Sequence, residues 1–169
     1  GKTTLLRIIA GLESIIDGEV IINEQVVSKK NFILPPEKRN VGLVVEDRAL
    51  FPHLNVEKNV MFGIRHLQER NSLAHEYLSL FKVADLGKKY PHEISAGQQQ
   101  RVAFARTLIT NPDILLLDEP FGALDKNLKT ELHLETKKIF KDKGLSVLLV
   151  THDQEEAEYF SDRVIEFHK

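Results

Sequence analysis

Two uninterrupted apolar runs, Ile114–Leu117 and Val147–Val150, constrain the fold more than any other feature of the chain. Each is far below the roughly 20 residues that span a bilayer. Neither alternates with polar residues as a strand with one wet face does, so both read as strands buried on two faces. Between them Leu124, Leu128 and Leu132 recur every four residues. That spacing predicts a helix from about Asn127 to Lys141, with Gly144 as its terminator. Strand, helix and strand in this order form a parallel crossover.

The same alternation runs through the rest of the chain. Thr3–Ala10 puts Leu5, Leu6, Ile8 and Ile9 on one buried helical face, and Gly11 ends it. Gly18–Val27 has the β-branched content and central Asn23-Glu24 of a short hairpin. Pro35-Pro36 punctuates the chain before a strand at Val41–Val45. Asp153 caps a helix, with Glu156 three residues on completing a capping-box-like start, and Val164–Phe167 reads as a last strand. From Asn55 to about Tyr90 the texture becomes helical, with charged and apolar residues recurring at helical spacing, as in Leu73, Tyr77, Leu80 and Phe81. Gln98–Thr110 continues as a helix burying Val102, Ala105, Leu108 and Ile109, closed by Asn111-Pro112. The fold class is α/β, a mainly parallel sheet flanked by helices, with an α-helical subdomain (55–110) inserted between core segments 1–54 and 111–169.

Composition excludes several functions. At 169 residues, 42% apolar and 28% charged, the chain is an ordinary folded domain and too apolar to be disordered. The 23 basic and 25 acidic residues, a net of -2, argue against wholesale binding to nucleic acid or anionic lipid. The absence of cysteine removes disulfides, zinc thiolates and a cysteine nucleophile. The Lys pairs 29–30, 88–89 and 137–138 read as solvated faces. Gly1 at the start and a single methionine, Met61, imply an excerpt that begins inside a larger protein.

Three segments carry chemistry. Gly1-Lys2-Thr3-Thr4, directly before a helix, matches the second half of a phosphate loop, G-x-x-x-x-G-K-[ST]. There the helix-start N–H groups face an anion, Lys2 reaches phosphates and the Thr3 hydroxyl meets Mg²⁺. A Gly-Lys at a helix start is also a common surface turn. Asp118-Glu119 ends a buried parallel strand, where open α/β sheets place ligands, although solvated acids also end strands. Asp118 would hold Mg²⁺ and Glu119 would orient or deprotonate a water. Ser95-Ala96-Gly97-Gln98 precedes a helix, and either caps it or presents a hydroxyl and N–H groups to phosphate.

Taken in order, Gly1–Thr4, Ser95–Arg101, Leu115–Pro120, Gly122–Asp125 and Thr151–Asp153 resemble the nucleotide-binding subunit of ATP-binding cassette (ABC) transporters across nearly the whole chain. Leu34–Gly42 and Arg48–Ile64 are similar to bacterial importer ATPases serving ferric iron, polyamines and sugars. The resemblance implies a P-loop NTPase core whose helical insert ends in the signature motif. It implies two copies packed head to tail around two ATP molecules with Mg²⁺. Gly1, Lys2, Thr3 and Thr4 match the phosphate loop, Asp118 the metal-holding aspartate and Glu119 the catalytic glutamate. Ser95, Gly97 and Gln98 match the signature facing ATP on the other subunit, Asp125 the loop coupling the two sites, and His152 the switch histidine. Implied partners are a second ATPase subunit, membrane permease subunits and, indirectly, a solute-binding protein, with no nucleic acid. The location implied is cytoplasmic, peripheral on the inner face of the cell membrane. Rival readings are a soluble ABC-type ATPase not linked to transport and an inactive truncated domain.

The match fails in three places. Nothing precedes Gly1, so half the phosphate cradle is missing and weak nucleotide binding by these 169 residues is expected. Glu46 stands where the family has a glutamine that meets Mg²⁺. A carboxylate about 5 Å from a phosphate charge is repelled by roughly 3 kcal/mol at an effective dielectric near 20, and a shared Mg²⁺ reverses that sign. The position reads as tolerated with slower hydrolysis. Ala96 replaces the first signature glycine; its methyl suits helical dihedrals, so a mild effect is expected.

Overall fold

A computed structural model describes residues 1–45, 49–122 and 124–166. Three parallel strands form the central sheet in the order β4 (Val41–Val45), β5 (Ile114–Asp118), β6 (Ser146–Val150). They run in register, so Val45, Asp118 and Val150 share its carboxyl edge. Residues of β5 point alternately to two layers. Leu116 packs with Leu6 and Ala10 of α1 (Lys2–Ala10), whereas Leu115 and Leu117 join the main core. That core includes Val102, Phe104 and Leu108 of α4 (Ala96–Leu108) and Leu132, Ile139 and Phe140 of α5 (Lys126–Asp142). Gly42 lets α4 approach β4 closely, since a Cβ there would meet Thr107 Cγ2 at 2.6 Å.

A separate antiparallel sheet, β1 (Glu19–Ile22), β2 (Gln25–Lys29) and β3 (Phe32–Ile33), follows α1. Its first turn is the expected Asn23-Glu24, both at positive φ (48° and 65°), as tight hairpin turns require. Arg39 fastens this sheet to α1. Its guanidinium, in a residue 3% exposed, donates to the carbonyls of Ile8, Ile9, Leu34 and Val27 and to Ser28 Oγ, at 2.7 to 3.0 Å. Two of those carbonyls end α1, where a cation also suits the helix dipole. Gly11, at φ 82°, leaves room for it, because a Cβ there would lie 2.5 Å from Arg39 Nε.

The segment predicted to be helical contains α2 (Val56–Met61) and α3 (Arg70–Leu80) before α4. Ala74, Tyr77, Leu78 and Phe81 make the inward stripe at i, i+3, i+4 and i+7. Leu80 falls off that stripe and is 40% exposed. Arg101 on α4, 7% exposed, donates to the Phe81 carbonyl, Glu131 and Glu135, tying α4 to α5.

Two expectations are corrected. Among the described residues β6 pairs only with β5, and Val147 is 37% exposed, so β6 is an edge strand rather than one buried on both faces. Val164–Glu166 form no strand and line, with β6, a groove of about 440 Å³; Phe167, the end of that expected strand, lies outside the described residues. Lys137 is exposed, as read for the Lys137-Lys138 pair, and there donates to the Tyr159 carbonyl with its Nζ 4.2 Å from that ring's centroid. No helix among the described residues is long and apolar enough to cross a membrane.

Candidate active site

The first turn of α1 begins at Gly1, has no acidic residue, and points its N–H groups at the carboxyl edge of the parallel sheet. Lys2 Nζ donates to the Thr151 carbonyl, just past β6, at 2.6 Å. Thr3 Oγ1 donates to Asp118 Oδ1, at the end of β5, at 3.2 Å. Thr4 is exposed on the same turn. Asp118 is 9% exposed. The next residue, Glu119, turns out of the strand at φ 48°, while its N–H donates to the Val150 carbonyl at 2.9 Å. Left-handed backbone costs a non-glycine residue about 1–2 kcal/mol and is found where a side chain must be aimed. Here it aims Glu119 Oε2 to within 2.8 Å of His152 Nδ1. That histidine side chain is 77% exposed and Glu119 only 20%, so the pair stands at the mouth of the site with the carboxylate inside.

Lys2, Thr3, Asp118, Glu119 and His152 are thus brought together from α1 and the ends of β5 and β6. Glu46, assigned to metal, lies outside the described residues.

The remaining candidates stand on other elements. Ser95 caps α4: its Oγ accepts from Gln98 N at 3.3 Å and Gln98 Oε1 accepts from Ser95 N at 2.9 Å. Ala96 begins that helix without positive φ. Gly97 is buried where α4 meets α5, and a Cβ there would come within 2.4 Å of Leu128 Cδ2. Asp125 caps α5, accepting from Leu128 N at 3.1 Å. No described hydrogen bond or ion pair joins Ser95, Gly97, Gln98 or Asp125 to the Lys2–Glu119 cluster.

Sequence reasoning missed the groups behind the cluster. Asp153 caps α6 (Gln154–Phe160) as expected, accepting from Glu156 N at 3.2 Å. Glu156 does not return the bond, which corrects the capping-box reading: the Asp153 N–H donates to Thr151 Oγ1, and Glu156 Oε2 accepts from that same hydroxyl at 3.0 Å. Lys129 on α5 bonds Asp153 at 2.6 Å and Glu156 at 3.1 Å. Burial pushes the Glu156 carboxyl above its usual range, with Lys129 and Thr151 opposing. Burial also works against the charge on Lys129, but its hydrogen bonds to Asp153 and Glu156 outweigh this and raise its pKa. The one local signal was the Asp153-x-x-Glu156 spacing, which also fits a cap.

A lysine and a threonine in a helix's first turn, facing acids at a parallel sheet's edge, define an α/β protein of the P-loop class. Known proteins narrow that class: the family model described as ABC transporter matches residues 1–122, and the chain belongs to that family. It is 41% identical over 168 residues to the Fe(3+) ions import ATP-binding protein FbpC 2 of Haemophilus influenzae, covering 97% of this chain and 47% of that protein. It is 43% identical over 173 aligned positions to the spermidine/putrescine import ATP-binding protein PotA of Bacillus anthracis, covering 100% and 52%. The chain therefore spans about half the length of the curated relatives it matches. A solved structure of the ATP-binding cassette MJ0796, dimeric and bound to ADP and Pi in a post-hydrolysis state, superposes with a TM-score of 0.81 at 32% identity. That match covers 95% of this chain and 73% of the other.

Proposed function

We propose that the complete protein hydrolyses ATP as a subunit that powers solute import through a membrane permease. The observation that supports this most is the contact of Thr3 with Asp118, which joins the phosphate-loop helix to the acidic strand end. The relatives named for iron and polyamine import support the transport role. On this reading residues 1–54 and 111–169 form the nucleotide-binding core and 55–110 the helical insert.

Lys2 would leave the Thr151 carbonyl for the β- and γ-phosphates, joined by the N–H groups of Gly1, Thr3 and Thr4. A hydroxyl beside a carboxylate is the hard oxygen donor set that Mg²⁺ takes, so Thr3 and Asp118 fit that ion and would hold it. When bound it supplies neutralisation of phosphate charge. Glu119 would accept the proton of the attacking water, and His152, already paired with it, would contact the γ-phosphate. Ser95, Gly97 and Gln98 of a second copy would close over the nucleotide, with Asp125 at the junction. Permease subunits would dock near the Glu46 loop and the helical insert, on the inner face of the membrane. A solute-binding protein would act through them.

Glu119→Gln in the complete protein is expected to cut turnover by about 10² or more while leaving ATP binding intact. Undiminished turnover would remove Glu119 from the reaction.

A further inference from the structure

Glu156 is 2% exposed, and its Oε1 is buried without a partner among the described residues. A carboxylate so placed persists where its charge is matched, and packing alone would be served by an uncharged side chain. The matching cation, Lys129, comes from α5, a different element. Both residues end on one short loop: Glu156 on the Thr151 hydroxyl, Lys129 on the Asp153 carboxylate. That loop presents two groups to the phosphate site, the Thr151 carbonyl that holds Lys2 and the His152 imidazole that meets Glu119.

We propose that Glu156 and Lys129 are positioning residues, which fix loop 151–153 from α6 and α5 so that Lys2 and His152 stand ready beside Glu119. They act through Thr151 and Asp153. The role rests on the ATP-hydrolysing reading above and adds to it the support on which the switch loop depends.

The test uses the complete protein with Thr151→Val, which deletes the hydroxyl but keeps the β-branched shape and the carbonyl, with Glu156→Gln, with Lys129→Gln, and with the Thr151→Val/Glu156→Gln double variant. Steady-state ATP hydrolysis is measured, along with amide hydrogen exchange at Asp153 and Glu156 without nucleotide. Each single variant is expected to lose about 10-fold or more in kcat, because small displacements of reacting groups are costly, with KM changed by less than about 3-fold. Exchange at both amides is expected to rise by about 10-fold. The double variant is expected to lose less than the product of the single losses, since both changes meet at the Thr151–Glu156 hydrogen bond. Unchanged kcat and exchange, a loss carried by KM, or losses that multiply in the double variant would overturn the proposal. Should Glu156→Gln fail to fold, Thr151→Val decides alone. Should the wild-type protein hydrolyse no ATP, the functional reading falls, and hydrogen exchange alone decides whether these residues hold the loop.

Discussion

His152 Nδ1 lies 2.8 Å from Glu119 Oε2, a contact between the ends of two adjacent parallel strands made by residues 33 apart in sequence. It depends on the left-handed turn at Glu119, and it places a titratable ring beside the carboxylate proposed as base.

His152→Ala is therefore expected to lower turnover by about 10² with little change in ATP binding. Because the two residues act as a unit, adding Glu119→Gln should cost less than the product of the single losses. Steady-state rates and equilibrium nucleotide titrations of the three variants check this. Independent, multiplying losses would separate His152 from Glu119.

Arg39 is expected to matter to stability far more than a surface arginine does. Arg39→Met takes a charged donor from four carbonyls, of which Val27 and Ile8 keep the backbone donors Leu34 N and Gly11 N, and from the buried Ser28 hydroxyl, and should cost about 3 kcal/mol in urea unfolding. Arg39→Lys should recover less than half of that, since an ammonium offers three donors and no planar fork. A change below about 0.5 kcal/mol, ordinary for surface sites, would show that the network adds little.

Gly42 separates β4 from α4 by less than a methyl group. Gly42→Ala should destabilise by about 1–3 kcal/mol through overpacking against Thr107 Cγ2. Thr107→Ser removes that methyl while keeping the hydroxyl that donates to the Ala103 carbonyl, so it should relieve part of the loss. Denaturation midpoints of the single and double variants provide the check.

His133 gives stability a pH dependence. It packs against Phe121 and Phe160 with ring centroids at 4.5 and 5.0 Å, and its Nε2 is buried without a partner among the described residues. Burial, then the charge of Lys129, lower its pKa from 6.5 to about 4, with Asp153 opposing. The folded value lies below the unfolded one, so this contribution is complete above about pH 6.5 and is lost as pH falls towards 4. Urea midpoints should fall across that window, and His133→Phe should flatten the fall. An identical slope in the variant would assign the effect to other groups.

Much of this architecture is legible in local sequence. The strands at 41–45 and 146–150 fall at their predicted bounds, because dense β-branched and leucine content leaves few other conformations. Gly11 and Asn23-Glu24 announce a helix end and a turn through backbone preferences alone. What stayed hidden depends on distant partners. The apolar run at 147–150 does not reveal that β6 has one neighbour among the described residues, and Val164–Glu166 have strand composition without a ladder to join. Arg39 reads as an ordinary charge until α1 and β2 supply its acceptors. Glu156 has the spacing of a cap, and only the approach of Lys129 from α5 shows why its carboxylate turns towards Thr151 instead. In the site, Lys2, Asp118, Glu119 and His152 were each visible as motif residues; their mutual distances were not.

The most direct measurement is an amide NMR titration of the complete protein with Mg-ATP. Signals of Lys2, Thr3, Thr4, Glu119 and His152 are expected to shift together along one saturation curve, because on the proposed reading a single triphosphate would contact them all. Shifts confined to the first turn of α1, or midpoints that differ between α1 and the Glu119–His152 pair, would contradict a single shared site.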